Sequence, residues 1–443
     1  MMRPQPSKET IGLQHLMIVE PLEFEVLAAT VNEEVTIIDM IIEKESVEYF
    51  VQKISPDVFC VTGYISHVNI MKDYCKRAKQ VLPSVVTVAG GVHLEKNPEH
   101  FESEWIDYRV VRNATREFPK LIEYLKNGAK FPQGVFKKED REKTLPEHDF
   151  YYPIPKRELV QKYDKDYYYV ILDKVALLKT SFGCPYGCTF CYCRSITDGK
   201  YVERDIDEVI TELRGIWQEN IYVIDDNFLV SAPRVNSFIE GVKKYNLKKR
   251  YLVYGRADFI AEHEELISEL KDIGLMGIIV GIESFNDEEL KNFEKRLTFE
   301  TIDKAINILN NLNVEVFGTL ITGPDWDVSD FTNMINLLVK YNIHYVNIQP
   351  LTPLPKTEFV VEKERLLLDP NEYEKWDLAQ IVIKPGKLSV KDYYKQLKRS
   401  YVKVVLRFKI FLEQLKYPLK TQMRLFKGAR RVYNQYQTRI NNA

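Results

Sequence analysis

The sequence predicts an α/β chain in three parts: an N-terminal doubly wound, Rossmann-like domain, a partial (βα)6 TIM-like barrel, and a helical C-terminal region. Three observations carry this. Short apolar runs alternate with helix-periodic segments over residues 15–128 and again over 175–349. A proline-rich, charged stretch separates the two series, and the last 60 residues are basic and amphipathic. The expected boundaries are 1–128, a linker at 129–174, 175–357 for the barrel and 358–443 for the tail.

In the first series the strand candidates are His15–Glu20, Val35–Asp39, Val58–Thr62, Val85–Ala89 and Tyr108–Val111. Helix-spaced segments such as Ser46–Ile54 and Asn69–Val81 lie between them. Strictly alternating strands and helices make a parallel, doubly wound sheet. The linker carries Pro132, Pro146, Pro153 and Pro155 and a tyrosine cluster at 163, 167, 168 and 169.

The second series offers Val175–Thr180, Ile221–Ile224, Tyr251–Tyr254, Gly277–Gly281, Val314–Ile321 and His344–Gln349. Helical segments such as Ile206–Glu219, Glu264–Ile273, Phe299–Leu312 and Phe331–Tyr341 separate them. Six βα units predict a barrel whose chemistry sits at the C-terminal strand ends. From about Leu351 the chain reads as helical, with Val402, Val405, Leu406, Phe408, Phe411, Leu412 and Leu415 among basic residues, divided at Pro418 and Gly428.

The chain has 443 residues, 45% of them apolar, with 62 Lys+Arg against 64 Asp+Glu. Residues 384–443 hold 16 Lys+Arg and 2 Asp+Glu, which leaves 46 and 62 for the rest. No apolar run is long enough to span a membrane and the N-terminus lacks a signal peptide's apolar stretch, so the expected location is cytoplasmic, with membrane association through the basic C-terminal region as the alternative. The basic tail would meet anionic lipid, nucleic acid or the acidic body of its own chain. A substrate-capping helical domain is the favoured reading, and no nucleic-acid partner is expected.

Six cysteines are too few for a disulfide scaffold, and Cys184, Cys188, Cys191 and Cys193 crowd into ten residues directly after a strand. The spacing Cys-x3-Cys-x2-Cys supplies three thiolates for three irons of a four-iron cluster, leaving one iron open. A structural zinc would want a fourth ligand, for which only Cys193 is near; Cys193 reads as a packed thiol. Cys60 and Cys75 read as core thiols.

This motif at the end of a first barrel strand resembles the radical S-adenosylmethionine superfamily. The resemblance implies a [4Fe-4S] cluster on Cys184, Cys188 and Cys191, with S-adenosylmethionine chelated at the open iron beside Phe190. It also implies an external electron donor such as flavodoxin or ferredoxin. Ile224-Asp225-Asp226-Asn227-Phe228 is similar to the family's Asp-Asp-x-Phe turn, placing Asp225 and Asp226 at the methionine amine; the other reading is a solvated helix cap. Arg256 would clamp the methionine carboxylate or pair with Asp258. Gly281-Ile282-Glu283-Ser284 resembles the Gly-Ile-Glu-Ser turn, which gives Glu283 to the ribose hydroxyls or amine. Gln349–Thr357 resembles a Thr-Pro-x-Pro-Gly-Thr loop with Lys356 in the glycine position, and a reshaped loop is expected there.

The preceding doubly wound domain resembles the cobalamin-binding class of this superfamily. Thr62, Gly63, Gly90, Gly91 and His93 are its candidate cobalamin contacts, His93 being alternatively a polar loop residue. His67 would lie under a corrin ring or cap the next helix. The signature that supplies an axial histidine is absent, and Arg112–Glu117 replaces the usual acidic glycine-rich turn. The resemblance implies a methyltransferase acting on an unactivated carbon. Its alternatives are cyclisation, rearrangement or sulfur insertion by the same radical chemistry, or a cluster-based redox sensor that binds nucleic acid. A diffuse likeness of the tail region to hopanoid methylases implies an apolar, lipid-like substrate.

Overall fold

The computed structural model describes residues 1–11, 16–369 and 371–443. They form two compact units: Met1–Thr10, Glu20–Asp166 and Pro370–Asp377 make the first, and Ile11–Val19, Tyr167–Asp369 and Leu378–Ala443 the second.

The first unit is built on strands β1 (Met2–Arg3), β2 (Ile38–Asp39), β3 (Val58–Thr62), β4 (Val86–Gly90), β5 (Tyr108–Val110) and β6 (Val135–Lys137). Their order is β2-β1-β3-β4-β5-β6, parallel up to β5 and antiparallel at β6. Helices α1 (Leu22–Ala28), α2 (Val47–Ile54), α3 (Val68–Val81), α4 (Val92–Lys96) and α5 (Ala114–Asn127) make the crossovers. Strand order reverses between β1 and β3, so the crevice beyond their carboxyl ends is where such a sheet receives a ligand.

Two expectations change here. The first strand of the sheet is Met2–Arg3, whereas Met17–Ile18 pairs antiparallel with Tyr168–Tyr169 in the second unit; His15 lies outside the described residues. The expected linker is also structured. Val135–Lys137 closes the sheet, and Arg157–Asp166 packs within the first unit, where Tyr163 donates to Glu43 Oε1 at 2.5 Å.

The second unit carries β7 (Val175–Leu178), β8 (Asn220–Val223), β9 (Arg250–Gly255), β10 (Leu275–Glu283), β11 (Glu315–Thr322) and β12 (Tyr345–Pro350), all parallel and in sequential order. This is a half-barrel. Helices α6 (Ile206–Gly215), α7 (Ala232–Lys244), α8 (Glu264–Asp272), α9 (Phe299–Asn311) and α10 (Val328–Lys340) cover its outside. Near-continuous apolar strands such as Leu275–Glu283 are what a sheet buried on both faces requires. Aromatic rings line the inner face: Tyr169 lies 4.6 Å from Tyr222, Tyr222 donates to the Tyr254 hydroxyl at 2.9 Å, and Phe317 stacks on Tyr345.

Between β12 and α11 (Val390–Val405) the described residues are helical only in short 3-10 turns at Lys363–Arg365 and Tyr373–Lys375, and α12 (Phe408–Gln414) and α13 (Leu419–Asn442) follow. Pro418 starts α13, as expected of a residue with no N–H to lose. Gly428 does not end it. It sits on the buried face with Thr421, Leu425, Val432, Tyr436 and Ile440, and a lone helical glycine costs only about 1 kcal/mol.

Candidate active site

β7 delivers its chain end to Thr180, and Ser181–Phe182 then pairs antiparallel with Val202–Glu203. The cysteine loop is thereby tied at both ends. Gly183 adopts φ +75°, and a Cβ there would fall 2.0 Å from the Lys200 carbonyl oxygen. Only glycine turns this corner. Its N–H donates to Asp226 Oδ2 at 2.9 Å. Further along, Thr189 N donates to the Phe293 carbonyl, Cys191 N to that of Cys188, and Phe190 packs edge-on against Phe293 at 5.2 Å. Phe190 thus anchors the loop to the apolar cluster of Phe293, Ile321, Leu351 and Ile383.

The carboxylates at the end of β8 do different work. Asp225 is buried and accepts from Thr180 N at 2.6 Å, from Thr180 Oγ1, and from Ser181 Oγ at 2.8 Å. It fastens the end of β7 to the end of β8 rather than opening toward a ligand. Asp226 holds the cysteine loop through Gly183 and lies 3.8 Å from Lys179 Nζ.

Arg256, after β9, is 5% exposed. It pairs with Asp258 through Nε at 3.1 Å and Nη2 at 2.8 Å, donates to the Lys295 carbonyl at 2.9 Å, and stacks 3.7 Å from the centre of the Tyr186 ring. The pair with Asp258 is formed, with the Arg256 side chain 6% exposed and that of Asp258 25% exposed. Glu283, at the end of β10, has φ +60° where the register with β11 shifts, and accepts from Lys295 Nζ at 2.9 Å.

Lys295 is the residue that sequence reasoning missed. It is 6% exposed and within electrostatic reach of Cys188; burial pulls its pKa down, but Glu283 and Cys188 together raise it above the usual lysine value. Its signal was hidden in the charged run Glu294-Lys295-Arg296, which reads as a solvated turn.

Among the described residues, no three His, Cys, Asp or Glu side chains converge as ligands of one ion. Ligands of a cubane each bind a different iron and need not converge. The loop fits such a cluster in donor chemistry. It carries three thiols within electrostatic reach of one another, with Lys295 and Arg256 beside Cys188 favouring its thiolate. Burial, with the neighbouring thiolates adding to it, pushes Cys184 up to about 11 and raises Cys188, a cost that metal coordination removes. Cys193 hydrogen bonds to Cys191, which lowers the Cys191 pKa.

Lys356 adopts φ +68°, the left-handed conformation a glycine would take. The lysine accepts the strain, and Thr357 Oγ1 closes the loop onto the Leu354 carbonyl at 2.7 Å.

In the first unit, Thr62 and Gly90 are paired at the ends of β3 and β4, and Gly91 folds back on them with φ +115°. A Cβ on Gly91 would lie 2.8 Å from the Gly63 oxygen and 2.9 Å from Thr62 Oγ1. A Cβ on Gly63 would collide with His67, whereas one on Gly90 would meet nothing nearer than Val110 Cβ at 3.9 Å. These residues form a side-chain-poor edge that suits a large planar ligand. His93 does not join it. It is 3% exposed, bonded to His100 Nδ1 at 3.0 Å and to Asn97 at 3.4 Å, and burial lowers its pKa to about 3. His67 stands at the N-terminus of α3 without capping it, 3.3 Å from Ser66 Oγ.

The two units and the cysteine loop define a cobalamin-type domain joined to a cluster-bearing half-barrel. The model of the radical SAM superfamily matches residues 178–338, and that of the B12 binding domain matches residues 10–122. Among curated relatives, the hopanoid C-3 methylase of Methylococcus capsulatus is 26% identical over 400 residues, covering 86% of this chain and 76% of that one. The anaerobic magnesium-protoporphyrin IX monomethyl ester cyclase of Rubrivivax gelatinosus is 20% identical, covering 84% and 70%. Among solved structures, the radical S-adenosylmethionine methyltransferase TsrM from Kitasatospora setae, with cobalamin and a [4Fe-4S] cluster bound, superposes with TM-score 0.68 at 16% identity, covering 100% of this chain and 99% of that one.

The chain carries both a radical SAM domain and a B12-binding domain. It is an enzyme; a [4Fe-4S] cluster and S-adenosylmethionine belong to the radical SAM domain, and cobalamin to the B12-binding domain. An electron donor and a small-molecule substrate follow from the radical SAM domain.

Proposed function

We propose that the protein is a cobalamin-dependent radical SAM methyltransferase acting on an unactivated carbon of an apolar, lipid-like substrate. The observation that carries the reading is the three-thiol loop on the first strand of a half-barrel, in a chain that also holds a B12-binding domain. The named activities of the hopanoid methylase and of TsrM support methyl transfer.

When bound, the cluster with S-adenosylmethionine supplies a 5′-deoxyadenosyl radical, and cobalamin supplies a methyl group to a carbon that an electrophilic methyl donor cannot reach. Cys184, Cys188 and Cys191 hold three irons. Asp226 orients the methionine amine while keeping the loop closed through Gly183. Arg256, immobilised by Asp258 and Tyr186, would offer the methionine carboxylate a fixed positive charge. Glu283, held by Lys295, takes the ribose side. Asp225 and Lys295 are positioning residues. Thr62, Gly63, Gly90 and Gly91 receive the corrin, and His93 supports α4 from within. The reducing electron comes from a flavodoxin or ferredoxin.

Anaerobic reconstitution with S-adenosylmethionine, cobalamin and reductant, in the presence of candidate polycyclic lipids, tests the proposal. Joint formation of 5′-deoxyadenosine and S-adenosylhomocysteine is expected. Deoxyadenosine with a cyclised or rearranged product and no methyl transfer would move the assignment to the second reading, which the cyclase relative favours.

A further inference from the structure

No described helix is long and apolar enough to cross a membrane, yet the second unit presents an apolar stripe to solvent at its C-terminal end. Helix α13 is held by one face. Arg424 pairs with Asp173 and stacks 4.1 Å from the Tyr168 ring, Thr421 donates to Asp173 at 2.8 Å, and Tyr436 stacks on Tyr401. On another face Leu419, Met423 and Phe426 recur at helical spacing, 70%, 51% and 67% exposed, and Tyr433 further along lies under Lys398 Nζ, 4.7 Å from the centre of its ring. Leu412 and Leu415, at the end of α12, are also exposed, at 48% and 54%. Flanking the apolar stripe on the next face of α13 are Lys420 and Lys427, both exposed, while exposed Arg430 stands within the stripe itself. The helix therefore has three faces: one packed, one apolar and open, one basic and open.

We infer that the open faces of α13 dock on an anionic phospholipid bilayer, with the helix lying in the plane of the surface. The apolar stripe enters the boundary between headgroups and acyl chains, and the basic stripe meets the headgroup phosphates. Charge selects this occupant. A second copy would set one basic stripe against another, and a nucleic acid would satisfy the cations while leaving Leu419 and Met423 in water. The surface belongs to the second unit alone and does not depend on the proposed reaction.

The experiment is co-sedimentation of the full chain with vesicles of phosphatidylcholine alone and with about one third phosphatidylglycerol, across a salt series. Binding to the anionic vesicles, little to the neutral ones, and weakening with salt are expected. Replacing Met423→Ser together with Phe426→Ser, or Lys420→Gln with Lys427→Gln and Arg430→Gln, should each weaken binding by about tenfold or more. Because these positions are exposed, both variants should keep the parent's circular dichroism and melting temperature. No sedimentation with anionic vesicles at low salt would overturn the inference, as would undiminished binding by the serine variant. So would a parent dimer that the serine variant converts to monomer, which would assign the stripe to a second copy. Tighter binding to duplex DNA than to the vesicles would assign it to nucleic acid.

Discussion

Lys295 reaches Glu283 at 2.9 Å across the position where Gly281 has no side chain; a Cβ on Gly281 would stand 2.5 Å from Glu283 Oε1 and 2.7 Å from Lys295 Nζ. The left-handed Glu283, the register shift of β10 against β11 and the buried cation are one construction. Removing one charge from a buried pair leaves the other uncompensated, so Lys295→Met should cost about 3–5 kcal/mol in denaturant unfolding. The double variant Glu283→Gln/Lys295→Met should recover much of that loss. Gly281→Ala should destabilise by a comparable route with both charges intact.

The cluster assignment predicts a difference among four neighbouring thiols. After anaerobic reconstitution, alanine at Cys184, Cys188 and Cys191 together should abolish bound iron and the cluster's visible absorption. Cys193→Ala should retain both, since its thiol serves Cys191 as a hydrogen-bond partner. Iron analysis and absorption spectra check this, and iron lost equally in the Cys193 variant would make Cys193 a ligand.

Lys356 offers a conformational test. An L-residue in the left-handed region is strained by about 1–2 kcal/mol, part of which glycine gives back through its freer unfolded chain. Lys356→Gly should therefore raise stability by up to about 1 kcal/mol, and Lys356→Val should lower it by at least as much. Thermal unfolding of the two variants against the parent measures the difference.

The first unit contains a carboxyl that should titrate with folding. Glu25 is fully buried, neither of its side-chain oxygens has a hydrogen-bond partner, and Arg157 lies 3.8 Å away, closer to Glu20. Burial, reinforced by Glu20, raises its pKa well above the usual carboxylate range, with Arg157 opposing. The folded state then keeps a proton that the unfolded chain releases above its reference value of 4.5. This contribution is fully present below that pH and is lost as pH rises toward the folded value. Glu25→Gln should flatten that slope, matching the parent near pH 4 and exceeding its stability at neutral pH, as read from denaturation midpoints across pH.

The barrel was legible because each of its strands is a continuous apolar run before a turn, and because the chemistry falls where those runs stop. The motif glycines were legible for the same reason: Gly183 and Gly91 stand where backbone must meet backbone. Two-residue strands such as Met2–Arg3 carry no pattern of their own; the pairing with Ile38–Asp39 and Val61 defines them. Val135–Lys137 was hidden by surrounding prolines, and its antiparallel pairing to Tyr108–Val110 is a tertiary choice. Lys295 and the fastening role of Asp225 were hidden from the sequence because they depend on partners many positions away, Glu283 for one and Thr180 for the other.

Asp225 also governs how loss-of-function data at this mouth should be understood. Its oxygens rivet two neighbouring strand termini, and the cysteine loop departs from one of them. An inert Asp225→Ala enzyme would therefore be the mark of a collapsed foundation rather than of a missing handhold for the methionine, whereas Asp225→Asn, able to keep part of the rivet, should forfeit less.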